Sequence, residues 1–422
     1  MSRPEAPAPM LRRGPRPLLM HLMLAQTSPD SDANSSNSAA GSNDSRPRHA
    51  GGAGRPGGLD PATLAGIAAY RRHPFSRDLP DPAVLWQHGE SRLLDFGPED
   101  GIPVLFVPSL VNRGYILDLT RERSMLRWLS GHGIRPMLME WGWPGAQERR
   151  FTMTDYIAGR LEPALARAAM CCERSVALVG YCMGGLLCIA SALRRPSQVA
   201  ALGLIATPWD FHAAGNGQPP TMAGLAARFE TMIRLTGALP IDAIQLAFAA
   251  VEPAAIARKF RNFGAMPQDD ERTRLFVAIE DWLNDGVPLA GPVALEVLRQ
   301  WYAENTPARG LWRVDGEAIR PEALVKALGE APGRMPVLLA IPQRDRIVPP
   351  ESAAPLVAAF PWADVLELPG GHVSVVAGPR APGLLWEPLL AWLRSTAAAA
   401  SGRRQALRKR PTRRVASRVG LP

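Results

Sequence analysis

Eight residues, Leu178-Val179-Gly180-Tyr181-Cys182-Met183-Gly184-Gly185, place a thiol where an apolar strand pattern gives way to a helical one. A nucleophile elbow requires that context. A tight strand-to-helix turn projects the central side chain, and small neighbours permit a strained backbone and close packing. Cys182 takes the nucleophile position, Gly180 and Gly184 the small positions, and Gly185 completes a diglycine. The plainer alternative makes Cys182 a small buried hydrophobe. Cys171, Cys172 and Cys188 fall in helical or helix-flanking stretches and read as ordinary packing or surface residues.

A thiol nucleophile needs a base, and the base needs an orienting acid. Asp345, in Ile341-Pro-Gln-Arg-Asp-Arg-Ile-Val-Pro349, follows one strand pattern; His372, in Leu368-Pro-Gly-Gly-His-Val-Ser374, follows the next. Nucleophile, acid and histidine thus occur in the order such sites use, on loops at the carboxyl ends of strands. Asp210 also follows a strand and is an alternative acid, but it lacks that late position. An oxyanion needs two N–H donors. Met183, just after the thiol, supplies one, and the loop Pro108-Ser109-Leu110-Val111-Asn112 supplies the other from Leu110 or Val111. Asn112, Trp209, Asp210 and His212 are candidates to line the pocket.

The elements that must position these residues alternate. Apolar strand patterns occur at 102–107, 134–140, 175–179, 199–206, 336–340 and 363–368. Helical spacing runs over 59–70, 121–130, 156–170, 186–193 and 384–393. Such alternation predicts an α/β fold, a mainly parallel sheet with helices on both faces. Between Pro208 and the strand at 336 lie helical runs such as 222–236 and 295–303, with little strand periodicity. A structureless loop of that length is improbable; a helical cap inserted at 210–330 accounts for it. The core then comprises 59–209 and 331–396, between an unstructured head, 1–58, and a flexible basic tail, 397–422.

The formal charge of +9 belongs to the ends. Eight basic residues and no acid fall after Ser401, and the first 58 residues carry seven arginines against four acids. What remains holds 33 basic and 35 acidic residues, which disfavours a body built to bind nucleic acid. The four cysteines form neither a disulfide framework nor a zinc pattern, and reduced thiols in a cytoplasmic protein are the simple reading. No apolar run is long enough to span a bilayer. Arg12-Arg13 before Leu18–Ala25 outlines a faint signal peptide, which Pro15, Pro17 and His21 weaken. Residues 26–58 are mostly Ser, Asn, Gly, Ala and Asp and cannot offset their ordering entropy by burial.

Gly180-Tyr-Cys-Met-Gly-Gly185 resembles the cysteine lipase-box variant of polyhydroxyalkanoate (poly-3-hydroxybutyrate) synthases. Also similar are Val107–Asp118, Glu140-Trp-Gly-Trp-Pro144, Asp155-Tyr156, Ala206-Thr-Pro-Trp-Asp-Phe211, Trp282-Leu-Asn-Asp-Gly286, Asp345-Arg-Ile-Val-Pro349 and Gly371-His372, spanning roughly residues 60–395. The resemblance implies an α/β-hydrolase fold and an acyltransferase that polymerises 3-hydroxyacyl groups from CoA thioesters, with Cys182, Asp345 and His372 catalytic. The segments near Trp141 and Trp209 look nearest to the short, two-subunit type. Implied partners are 3-hydroxyacyl-CoA, the polyester chain, a second synthase subunit or another copy of the chain, and the storage-granule surface in the cytoplasm. No metal or bound cofactor is implied, since CoA enters as substrate. The chain departs from the family at Arg346, where histidine is usual, at Pro350, where tryptophan is usual, and at Ala377-Gly378-Pro379, where an Asn-Pro-Pro-like segment is common. Those differences keep open an ester or thioester hydrolase, or a silent granule-associated paralogue.

Overall fold

The computed structural model describes residues 11–26, 60–213, 228–327 and 335–408. Its main sheet is built from β1 (Ala83–His88), β2 (Ser91–Asp95), β3 (Ile102–Val107), β4 (Ile134–Glu140), β5 (Val176–Tyr181), β6 (Val199–Ile205), β7 (Val337–Pro342) and β8 (Asp364–Leu368). The strands lie in the order β1-β2-β4-β3-β5-β6-β7-β8. β2 runs antiparallel to β1 and β4, and every other pairing is parallel. This is the α/β-hydrolase arrangement.

The central strands read as continuous apolar runs because both faces are covered. All residues of β4 and β5 are buried. Alternate side chains feed two cores: Leu105, Met137, Leu178 and Leu202 on one face, Val104, Leu138, Val179 and Ile205 on the other. In chain order, the helices that matter are α1 (Leu18–Gln26), α2 (Pro61–Arg72), α3 (Met125–Ser130), α4 (Glu162–Cys171), α5 (Met183–Arg194), α6 (Ile241–Val251), α7 (Pro253–Gly264), α8 (Glu271–Asn284) and α9 (Glu387–Arg408). α4 and α5 contribute to the first core, α3 and α9 to the second.

All six expected strands are present, but the hairpin β1–β2 was not expected. β1 is an edge strand with exposed ends, and its apolar run, residues 83–86, is short. The stretch between β6 and β7 is mainly helical. It also holds two short antiparallel pairs, Ala238–Leu239 with Leu289–Ala290 and Arg313–Val314 with Glu317–Ala318. Its Ile233, Ile244 and Val293 belong to the same apolar cluster as the sheet. Of the helix expected over 222–236, residues 228–236 are helical and the rest lies outside the described residues.

Both ends need correction. The unstructured head does not include 11–26: α1 is helical, and His21 and Leu22 pack beside Phe260 and its cluster. The tail does not begin at 397, because α9 continues through Arg408. The serine- and glycine-rich part of the head and the last basic residues lie outside the described residues. Among the described residues, no helix is long and apolar enough to cross a membrane.

Candidate active site

β5 ends at Tyr181, and Cys182 turns the chain into α5 with φ +56° and ψ −129°. A non-glycine residue rarely adopts such a φ, and it persists only where the surroundings hold it. Here the Cys182 N–H donates to the Ile205 carbonyl at 2.9 Å, and the Cys182 carbonyl accepts from Gly185 N–H at 2.9 Å. The glycines serve close approach. A Cβ on Gly180 would lie 2.4 Å from the Gly185 Cα, and one on Gly184 would lie 2.0 Å from the Val107 carbonyl oxygen. The elbow is thus clamped between β3 and β6.

Asp345 and His372 come to the same sheet edge from the ends of β7 and β8. His372 Nδ1 lies 2.6 Å from Asp345 Oδ2. The other carboxylate oxygen accepts from the Ile347 and Val348 N–H groups, each at 2.9 Å. The Asp345 side chain is fully buried and accepts three hydrogen bonds, one of them from the His372 Nδ1–H. Cys182 and His372 line the same cavity. Burial works against an imidazolium here, but the Cys182 sulfur and then Asp345 outweigh it, and the His372 pKa is pushed up to about 10.

Tyr181 lies against His372 and was not singled out in the sequence. Its hydroxyl donates to the His372 carbonyl at 3.1 Å, and the two rings lie 5.1 Å apart. Burial and the neighbouring Cys182 and Asp345 push its pKa well up, so it remains a donor. As the last residue of a buried strand, it carried no local signal.

Met183 opens α5, where the first N–H groups have no intrahelical acceptor. Of the two expected donors opposite, Val111 N–H is committed to Ser109 Oγ at 3.1 Å. Leu110 is buried and lines neither cavity beside the thiol. The loop itself is pinned: Trp141 Nε1–H donates to the Pro108 carbonyl at 3.1 Å, Trp282 Nε1–H to that of Arg113 at 2.7 Å, and Val287 N–H to that of Val111 at 3.3 Å.

Two cavities open onto Cys182. One, of about 140 Å³, is walled mainly by apolar side chains including Phe211, Phe229, Ile244 and Leu298, with Tyr302 beside them. The other, of about 270 Å³, also reaches His372 and carries polar and charged walls. Ser109 and Val111 line both. Asp210 lines the apolar cavity but is no partner of His372; its Oδ1 accepts from Asn305 Nδ2–H and His212 N–H, each at 2.8 Å. Asn112 lines the polar cavity with a buried, unpartnered Oδ1. Trp209 and His212 line neither. Trp209 is buried edge-on against Trp312, and His212 turns outward to bond the Tyr302 carbonyl. Among the described residues, no cluster of three or more His, Cys, Asp or Glu could hold a metal ion.

No protein-family model matches the chain. It is remotely similar to poly(3-hydroxyalkanoate) polymerase subunits. The subunit PhaC of Haloferax mediterranei is 26% identical over 328 residues, 73% of this chain and 63% of that protein. That of Haloarcula marismortui is 25% identical over 70% of this chain and 61% of its own length, and that of Synechocystis sp. is 27% identical over 69% and 77%. The match therefore covers less than two thirds of the Haloferax and Haloarcula proteins. Among solved structures, a carboxylesterase study of the thaumarchaeon Nitrososphaera gargenis gives 13% identity over 75% of this chain and 100% of that one, with a TM-score of 0.47. An esterase from Thermogutta terrifontis gives 19% over 75% and 98%, with a TM-score of 0.44.

Proposed function

We propose that this chain is a covalent acyl-transfer enzyme that loads a 3-hydroxyacyl group from a CoA thioester onto Cys182. The observation that carries the reading is a thiol on a strained elbow that shares a cavity with a histidine bound to a buried carboxylate. His372 holds the thiol proton while the sulfur attacks the thioester carbonyl. The oxyanion is held by the Met183 N–H and a donor of the 108–112 loop, where the Val111 N–H already bonds Ser109 Oγ. The carbonyl re-forms as the C–S bond to CoA breaks, and His372 returns its proton to the departing thiolate. Cysteine suits this exchange because one thioester replaces another at nearly balanced energy, with an intrinsically strong nucleophile.

The acyl-enzyme then needs an acceptor. In the synthase-like reading, the 3-hydroxyl of another acyl unit attacks, His372 takes its proton, and an ester forms as Cys182 is released. Remote similarity to polymerase subunits supports that acceptor. Water as acceptor makes the chain a thioester hydrolase, a second reading for which the apolar cavity, at about 140 Å³, offers room for a short acyl group. A second synthase subunit and the granule surface remain the partners proposed for the polymerising form.

The test is to incubate purified protein with 3-hydroxybutyryl-CoA, with and without a second synthase subunit. Released CoA is followed by thiol titration, and products are separated into polymer and free acid. Cys182-dependent release with polymer supports the synthase form, and free acid under both conditions supports hydrolysis. Release that is absent, or equal in Cys182→Ala, refutes the proposal.

A further inference from the structure

The N-terminal arm, residues 11–26, is stitched onto the body beside the polar cavity. Arg12 and Arg71 exchange backbone and side-chain bonds, Arg12 N–H to the Arg71 carbonyl at 3.1 Å and Arg71 Nε–H to the Arg12 carbonyl at 3.0 Å. The Arg12 guanidinium pairs with Asp281 at 2.7 Å and donates to the carbonyls of His73 and Phe75. Arg16 N–H donates to Asn284 Oδ1 at 2.8 Å. His21 is 4% exposed and packs edge-on to Phe260, with ring centroids 5.2 Å apart. Burial, reinforced by Lys259, lowers its pKa to about 3, so His21 adds no charge at neutral pH.

These anchors make Arg16, Met20 and His21 a wall of the same cavity onto which Cys182 and His372 open. Three other lysine or arginine residues line it, and each has a carboxylate: Lys259 with Glu280 at 2.8 Å, Arg346 with Glu252 at 3.3 Å, and Arg113 with Glu140 at 3.3 Å. Arg16 has no carboxylate partner among the described residues. The arm thus brings Arg16, whose charge no carboxylate among the described residues balances, to the cavity that Cys182 and His372 share. A neutral thiol carrier gains nothing from such a charge, whereas a phosphorylated one gains charge-assisted hydrogen bonds.

We infer that Arg16 is a specificity-determining residue that favours acyl donors carried on a phosphorylated thiol, making the N-terminal arm part of the substrate site. The inference rests on the acyl-transfer reading above and deepens it. The step it affects is binding, and no bond is made or broken at Arg16.

Wild type, Arg16→Ala and Arg16→Lys, all as the full chain, are compared on 3-hydroxybutyryl-CoA and 3-hydroxybutyryl-N-acetylcysteamine. Arg16→Ala is expected to lower the kcat/KM preference for the CoA ester about tenfold, chiefly through KM, with Arg16→Lys recovering most of it. A preference unchanged in Arg16→Ala, or activity lost equally on both thioesters, overturns the inference and leaves the arm a structural element. A second measurement does not need turnover: calorimetric binding of free CoA to Cys182→Ala protein, with and without Arg16→Ala. Weaker binding in the double variant supports Arg16 even if Cys182-dependent turnover fails. CoA binding that is absent, or indifferent to Arg16, overturns it.

Discussion

Asp345→Asn separates orientation of the imidazole from mere proximity. The wild-type carboxylate accepts three bonds, two from the Ile347 and Val348 amides at 2.9 Å and one from His372 Nδ1 at 2.6 Å. Asparagine keeps one acceptor oxygen. If that oxygen stays with the two amides, the side-chain NH2 faces Nδ1, which must then accept. The imidazole then loses its Nδ1 proton and keeps only the one on Nε2, so it cannot accept the proton of Cys182. If the side chain flips, two buried amide donors are left unpaired, costing about 1–3 kcal/mol each. The first orientation is therefore favoured, and the base is held in the wrong tautomer. The corresponding change in a serine triad lowers kcat about 10⁴-fold. A thiol leans less on its base than a hydroxyl does, so a loss of about 10³-fold in acylation is expected here, roughly 4 kcal/mol in barrier. Rapid-mixing measurement of the first turnover of CoA release reads this step, with a thermal melt to show that the fold is intact. A folded Asp345→Asn that acylates within about tenfold of wild type would refute the reasoning and remove Asp345 from the role.

Replacing Cys182 by alanine removes the leading influence that raises the His372 pKa against burial, so the imidazole should titrate well below its wild-type value of about 10, read from its ring-proton NMR shift. Because that folded value lies above the ordinary 6.5, His372 protonation stabilises the fold fully below pH 6.5. That contribution is lost as pH rises towards about 10, and thermal melts should show it flattened in Cys182→Ala. Gly184→Ala would set a Cβ 2.0 Å from the Val107 carbonyl oxygen and 2.9 Å from that of Pro108, both backbone atoms. Destabilisation of about 4 kcal/mol or more in chemical denaturation, or failure to accumulate folded protein, is expected; a neutral effect would contradict the clamped elbow. If the apolar cavity holds the acyl chain, kcat/KM should rise about fourfold per added methylene until the cavity is full, at ~0.8 kcal/mol each. Ala247→Phe, which places a ring on that wall, should abolish the rise in a chain-length series.

The elbow was legible because its signal is local. Gly180, Cys182, Gly184 and Gly185 sit within six residues, so the motif shows in the sequence even though Gly184 and Gly185 make room for the distant Val107 and Thr207. The buried strands were legible for a similar reason, since coverage on both faces turns each into an unbroken apolar run. Asp345 and His372 could be ranked only by chain order and by following strands, because their contact joins positions 27 residues apart. What escaped depends on distant partners. Tyr181 bonds a carbonyl 191 residues later, and Arg12 reaches Asp281 across 269 residues, so neither role leaves a pattern in its own neighbourhood. The arm illustrates the consequence most sharply. Read alone, residues 11–26 are a short apolar stretch behind two arginines, which composition assigns to an unstructured head or a faint leader. Folding supplies Asp281, Asn284 and Phe260 as a dock that no local rule can anticipate. Three of the arm's residues thereby become a wall of the cavity reached by Cys182 and His372. Local chemistry could thus be read residue by residue, while the boundary of the site depended on which distant segments the fold brings to it.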